Sequence, residues 1–300
     1  MAENVRSQIK ESVLFVAIMT CRLLLGLVFL FSGITKAIDP AGGAIKVEEY
    51  FAAFGLSDMR WLALPFSINL AAVEFTLGVC MFLGVYRRYS SFFALLMMSF
   101  MTPLTLYLAL KNPVADCGCF GDALVITNWQ TFYKNIVLLG ASIVAFLFHK
   151  RTTAFFSFKV YWFVALFAYV YCLGFSLRNY NHLPIIDFRP FKVGTDISAG
   201  METPQDAPQD EYTYSFVYEK DGKEQTFSLD DAPSSDSTWT FVRSESQLIR
   251  KGYEPPISDF VVMTFDGEDM TESILRDTAG VFLLISPKLE EASDAHIDEI

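Results

Sequence analysis

Two cysteines one residue apart, Cys117 and Cys119, stand in the stretch VADCGCFGDALVITNWQTFYKN, with Asp116 and Asp122 beside them and Trp129, Phe132 and Tyr133 just beyond. Gly118 lets the backbone take the tight geometry that two half-cystines so close together require. The ring they close is very small, and strained disulfides are more oxidising and exchange more readily than structural ones. So short a loop removes little entropy from the unfolded chain, which suits a shuttle better than a staple. Two other readings stay open: a helix-end turn broken by Gly118 and Gly121 with the thiols tucked against Phe120, and a metal site. Metal fits worst, because zinc wants four ligands. Only Asp116 and Asp122 can assist nearby, and His149, His182 and His296 lie on the far side or distant in sequence. No metal is expected. The single cysteines Cys21, Cys80 and Cys172 fall inside apolar runs, and Cys172, among Tyr169, Tyr171 and Phe175, reads as packing.

The elements that must position this pair are membrane helices. The chain has 300 residues, 52% of them hydrophobic, which leans away from a soluble domain. Apolar runs at Val13 to Ile34, Pro65 to Gly84, Tyr89 to Leu110, Phe132 to Phe148 and Phe158 to Leu177 each have the length that crosses about 30 Å of hydrocarbon. Five transmembrane helices are expected. The first is too long for a signal-peptide core and lacks a small-x-small cleavage site, so it is expected to stay attached. Lys and Arg gather before the first run (Arg6, Lys10), between the second and third (Arg87, Arg88) and between the fourth and fifth (Lys150, Arg151, Lys159). Those regions share the cytoplasmic side by the positive-inside rule. The cysteine loop and the carboxy-terminal region then face the extracytoplasmic compartment, where thiols can be held oxidised. The protein is expected in the inner (plasma) membrane of a bacterium, surrounded by membrane lipid.

Arg22 in the first run and Glu74 in the second lie about nine residues from opposite ends, roughly 14 Å deep. Charges at that depth are costly, so pairing the two is the economical arrangement. They are read equally as a polar site for a quinone head group and as a structural clamp. Lys36 reads as an interfacial anchor, and Trp129, Phe132 and Tyr133 as an aromatic belt, with a quinone-stacking surface as the other reading. Lys111 and Lys134 lower a thiol pKa by proximity and Asp116 raises it, with the net sign open.

The string CGCFGD, followed by Trp129 and TFYKNIVLL, resembles the MauE branch of the DoxX-like membrane proteins. RLLLGLVFLFSGITKAIDP in the first run and AAVEFTLGV in the second carry the same resemblance over about residues 10 to 150. The resemblance implies a four-helix bundle related in architecture to membrane disulfide-forming oxidoreductases that pass electrons to quinone. MauE is associated with making methylamine dehydrogenase, a disulfide-rich periplasmic enzyme, and DoxX relatives with quinone-linked oxidation of sulfur compounds. This chain departs from the disulfide-forming enzymes in having Cys-x-Cys and no second loop pair, so an electron acceptor must meet Cys117 and Cys119 directly.

The charges are segregated. Residues 1–178 carry 14 Lys and Arg against 9 Asp and Glu, a net of +5, whereas residues 179–300 carry 9 against 25, a net of −16. Neither part has a basic block interleaved with aromatics, which argues against nucleic acid. In the acidic part METPQDAPQDE reads as a linker or loop, TYSFVYEKDGKEQTFSL as a hairpin about Lys-Asp-Gly-Lys, and GVFLLIS as a strand covered on both faces. Residues 255–300 resemble the start of a thioredoxin-like domain, but Ser286 to Glu290, where its cysteines belong, hold none. A strand apolar on both faces needs a cover, so truncation or an external partner is expected.

The expected architecture is an all-α transmembrane bundle followed by a small α+β extracytoplasmic region. Residues 1–152 form the four-helix core, 153–178 the fifth helix and 179–300 the acidic region. The expected function is extracytoplasmic thiol–disulfide chemistry at Cys117 and Cys119, with quinone as the cofactor at Arg22, Glu74 and Trp129. The expected partner is an extracytoplasmic client or thioredoxin-like protein. The alternative is a non-enzymatic assembly factor, and a transporter is disfavoured by the lack of inverted repeats.

Overall fold

In the computed structural model the described residues are 2–283, except 115, 183, 190, 210, 221–222, 229–232, 234–237, 251, 254, 259, 278–279 and 282. They fall into two compact units, residues 1–189 and 190–300. The first is helical: α1 (Ala2–Ile38), α2 (Pro40–Ala53), α3 (Ala63–Leu83), α4 (Arg87–Lys111), α5 (Asn128–Leu147) and α6 (Tyr161–Asn181). Five stretches among them are long and apolar enough to cross a membrane, Arg6–Ile38, Ser57–Leu83, Arg87–Lys111, Asn128–Leu147 and Phe158–Asn181. The protein is a multi-pass membrane protein.

Small residues set the tightest contact. Gly26 and Gly33 of α1 abut the backbone of Phe82 and Phe75 of α3, and Gly78 of α3 abuts Leu30. A β-carbon at any of the three would collide with the opposite helix, the close approach that glycine permits in membrane bundles. α4 packs mainly on α5, and α6 lies against α3 and α1. The central core joins Leu25, Phe29, Leu77, Met81, Met98 and Leu138. Cys172 packs among Ala37, Ala71 and Ala72, as its aromatic surroundings suggested.

The glycine contacts also fix a register, and it separates the two intramembrane charges. Seven residues forward along α1, from Gly26 to Gly33, correspond to seven residues back along α3, from Phe82 to Phe75. Arg22 therefore lies opposite the α3–α4 turn and Glu74 opposite the end of α1, about 18 Å apart along the bundle. The expected Arg22–Glu74 pair does not form. Counting from helix ends had failed because α1 runs on well past the apolar stretch at both termini.

α2 was not anticipated. Asp39 caps it, its carboxylate accepting from Gly42 N at 2.9 Å, and Pro40 sits at its first position. Too short to span, it buries Ala44 and Val47 against Ala63 and lies near the loop that carries the cysteines.

In the second unit β1 (Glu211–Lys220) pairs antiparallel with β2 (Lys223–Ser228) and β3 (Thr240–Arg250), in the order β2-β1-β3. Lys220 opposite Lys223 gives the hairpin expected there. Phe227 and Trp239 stack edge to face, ring centroids 5.1 Å apart. Two short helices, α7 (Ile197–Met201) and α8 (Thr271–Leu275), complete the described elements. Most of the apolar run 280–286, and all of Ser286 to Glu290, lie outside the described residues.

Candidate functional site

The loop between α4 and α5 is pinned at both ends. Asn112 caps α4 in the left-handed region (φ 48°), and its side-chain oxygen accepts from Asn128 Nδ2 at 2.9 Å. The same Asn128 amide lies 3.0 Å from the Val114 carbonyl, while Thr127 and Gln130 form a reciprocal capping box that starts α5. Gly118 takes φ +64°, which glycine alone adopts without strain, and its Cα faces the Lys46 stem of α2.

Held this way, Cys117 and Cys119 are both buried free thiols with their sulfurs 2.8 Å apart. Each carbonyl is fixed by a different element. Tyr50 of α2 donates to Cys117 O at 3.0 Å, and Lys36 of α1 donates to Cys119 O at 2.8 Å. Lys46 bridges Asp116 at 3.1 Å and Glu49 at 3.2 Å, and Asp116 also accepts from Gly118 N. α2 is thus the roof of the dithiol.

Behind Cys119 is a buried polar cluster. Lys36 Nζ donates to Glu74 Oε2 at 2.6 Å, to Ser32 Oγ at 2.7 Å and to the Cys119 carbonyl, which uses all three ammonium hydrogens. Ser32 Oγ stands 2.7 Å from both Glu74 Oε2 and the Cys119 carbonyl, its one hydrogen serving one of them. The Lys36 and Glu74 side chains are 10% and 4% exposed, so Lys36 is no interfacial anchor. An ammonium this deep needs the carboxylate beside it. Sequence reasoning missed the partnership, although Gly-x-x-Lys at the end of α1 was visible.

The two thiols differ. The hydrogen bond from Cys117 pulls Cys119 down, and although burial opposes it, the charges of Lys134 and Lys36 help to hold Cys119 at about 6. Cys117, donating to that sulfur and buried, is pushed up from the usual thiol range. Burial likewise keeps the Tyr50 phenol protonated. The two shifts run in opposite directions and make Cys119 the more acidic sulfur of the pair.

The remaining sequence candidates lie elsewhere. Arg22, buried midway along α1 opposite the α3–α4 turn, donates to the carbonyls of Thr153 and Phe82 and neighbours Arg87. Trp129 is 45% exposed at the start of α5, its ring against Phe132 and Tyr133. Of the three residues expected to hold a quinone, Glu74 alone stands at the dithiol. Among the described residues no group of His, Cys, Asp and Glu is disposed to hold a metal.

Fold and site together define a multi-pass membrane protein with a buried dithiol at one end of its bundle. Residues 13–148, which hold four of the five spans and both sulfurs, match the family model of the methylamine utilisation protein MauE. Residues 212–251, covering β1 to β3, match a domain of unknown function, DUF8463. Protein TlpB of Flavobacterium psychrophilum is 26% identical over 136 residues, which cover 44% of this chain and 37% of TlpB. The matched part is thus well under half of that relative. No solved structure matches the chain.

Proposed function

We propose that this protein carries out thiol–disulfide exchange at the extracytoplasmic face of the membrane, with Cys117 and Cys119 cycling between dithiol and disulfide. The observation that carries the reading is the sulfur pair itself: two free thiols 2.8 Å apart, across a glycine with φ +64°. The lowered Cys119 pKa supports it, because a thiolate is the form that exchanges. The short loops rich in Lys and Arg support an amino terminus in the cytoplasm and the dithiol outside. The partner is an extracytoplasmic client or a thioredoxin-like protein, and the electron acceptor a quinone. Residues 255–300 keep their likeness to an opening thioredoxin-like segment as part of this proposal, without cysteines of their own.

The test is a mixed-disulfide trap in intact cells. A Cys117→Ser variant is expected to capture a partner on Cys119, and the Cys117→Ser, Cys119→Ser double variant to capture none and to lose client oxidation. Client oxidation unchanged in the double variant sinks the proposal. One observation favours a second reading, a non-enzymatic assembly factor: both sulfurs lie under α2, less than a tenth exposed. That reading predicts no captured partner and a Cys-Gly-Cys peptide whose redox state never changes.

A further inference from the structure

The dithiol closes one end of a cavity of about 730 Å³ whose walls come from α2, α3 and α4. Met97 and Phe100 also line a second cavity of about 810 Å³ between α3, α4 and α6. The two cavities are thus neighbours along α4, and the one that reaches the dithiol is a trench between α3 and α4. Along α4 its lining runs from Met97 to Tyr107, about 15 Å of helix. Phe66 and Phe100 stand on its rim at 52% and 68% exposed, on helices that span the membrane. Its side is open to lipid, and its end is closed by sulfur.

We infer that this trench binds an isoprenoid quinone, with the head group against Cys119 and Lys36 and the apolar tail laid between α3 and α4. The inference rests on the thiol–disulfide reading above and gives its acceptor a place and an entry route. Two arguments select the occupant. Lys36 and Lys46 face three carboxylates, Glu74, Asp116 and Glu49, so the closed end has no spare positive charge for a phosphate and suits a neutral head group. An apolar passage with a few polar groups at its closed end also suits a molecule delivered from the bilayer.

The exchange balances. With Cys119 ionised, one S–H bond, that of Cys117, breaks and one Cys117–Cys119 bond forms; two electrons and one proton leave the sulfurs, a second proton comes from Lys36, which regains it from water, and the two quinone carbonyl oxygens become hydroxyls. Cys119 is the sulfur toward the head group, since its carbonyl shares Lys36 with Glu74, whereas Cys117 is turned to Tyr50 and α2. To donate, Lys36 gives up one of its three hydrogen bonds, to Glu74, Ser32 or the Cys119 carbonyl.

The test uses the full chain, purified in detergent and reduced, mixed anaerobically with ubiquinone-1 or with the same benzoquinone ring lacking its isoprenoid unit. The tailed quinone is expected to oxidise the dithiol at a concentration about tenfold lower than the tailless one. Leu104→Trp, and separately Leu70→Trp, each narrow the cavity away from the sulfurs. Each is expected to raise the ubiquinone-1 requirement about tenfold while leaving exchange with glutathione disulfide at the wild-type rate. Wild-type exchange with glutathione disulfide but no oxidation by ubiquinone-1, no preference for the tail, or unchanged requirements in both Trp variants overturns the trench assignment and leaves the thiol–disulfide reading standing. Failure of wild-type protein to exchange with any disulfide overturns both.

Discussion

Two buried cations of α1, Arg22 and Lys36, solve the same electrostatic problem in opposite ways. Near one end Lys36 meets a carboxylate, Glu74, and the pair is tied to the carbonyl of Cys119. Sixteen positions before Ile38, Arg22 finds only backbone carbonyls, of Thr153 and Phe82, with Arg87 as a like-charged neighbour and its Nε without a partner. An Arg held by carbonyls locks a loop to a helix. A Lys held by a carboxylate is a neutral unit that keeps a proton close to a reactive sulfur. The comparison teaches that burial of charge alone does not mark chemistry; what the charge is fastened to does.

The largest effect should come from splitting the Lys36–Glu74 unit. Glu74→Ala leaves an ammonium buried and unpaired, which costs about 3–5 kcal/mol, read as a fall in the unfolding midpoint in detergent. Replacing both partners with Met is expected to recover most of that stability, because a buried ion pair often contributes little over an apolar pair. The double variant removes Lys36, which favours the Cys119 thiolate, together with Glu74, which opposes it, so thiol exchange is expected to stay close to wild type. Arg22→Met provides the contrast. It removes two hydrogen bonds to carbonyls and is expected to cost about 1–3 kcal/mol, with dithiol reactivity unchanged. A loss of reactivity in Arg22→Met would break the distinction between the two cations.

The spans and the dithiol were legible in the sequence because a long apolar run and a Cys-Gly-Cys spacing are local signals. The pairing of charges was not. It depends on the register between α1 and α3, which three glycines set through contacts far apart in sequence, Gly33–Phe75, Leu30–Gly78 and Gly26–Phe82. α2 escaped for another reason: its sequence, PAGGAIKVEEYFAA, has two early glycines and too few apolar residues to span. Its role comes from Lys46 and Tyr50 reaching a loop about 70 residues later. Trp129 was read as either a belt or a stacking surface; it is exposed, with its ring against Phe132 and Tyr133.

A smaller effect tests the roof. Gly118→Ala forces an L side chain into φ +64° and sets its β-carbon 3.1 Å from the Lys46 stem. The left-handed conformation costs about 1–2 kcal/mol. Lys46 is expected to give way and loosen its bridge to Asp116. Disulfide formation between Cys117 and Cys119, followed by mass spectrometry after oxidation, should slow, while the unfolding midpoint falls by less than in Glu74→Ala.

The smallest and most diagnostic change concerns pH. Cys119 is held down first by the hydrogen bond from Cys117 and then, against burial, by Lys134 and Lys36, to about 6. Its alkylation by iodoacetamide should therefore fall as pH drops through about 6, where the thiolate gains a proton, and should level off above that. An ordinary thiol rises only toward about 8.5. Lys134, which also sits 4.1 Å over the Phe120 ring, can be changed without touching the Lys36–Glu74 unit. Removing its charge in Lys134→Met takes away a term favouring the thiolate, so the midpoint must move up. The rate then drops between the old and new midpoints and stays the same at about pH 9, where both forms are ionised. Arg22→Met, midway along α1, should leave the curve where it was; a midpoint that moves equally in both variants would show that the bundle's overall charge, and not the lysines at the dithiol, sets the Cys119 thiolate.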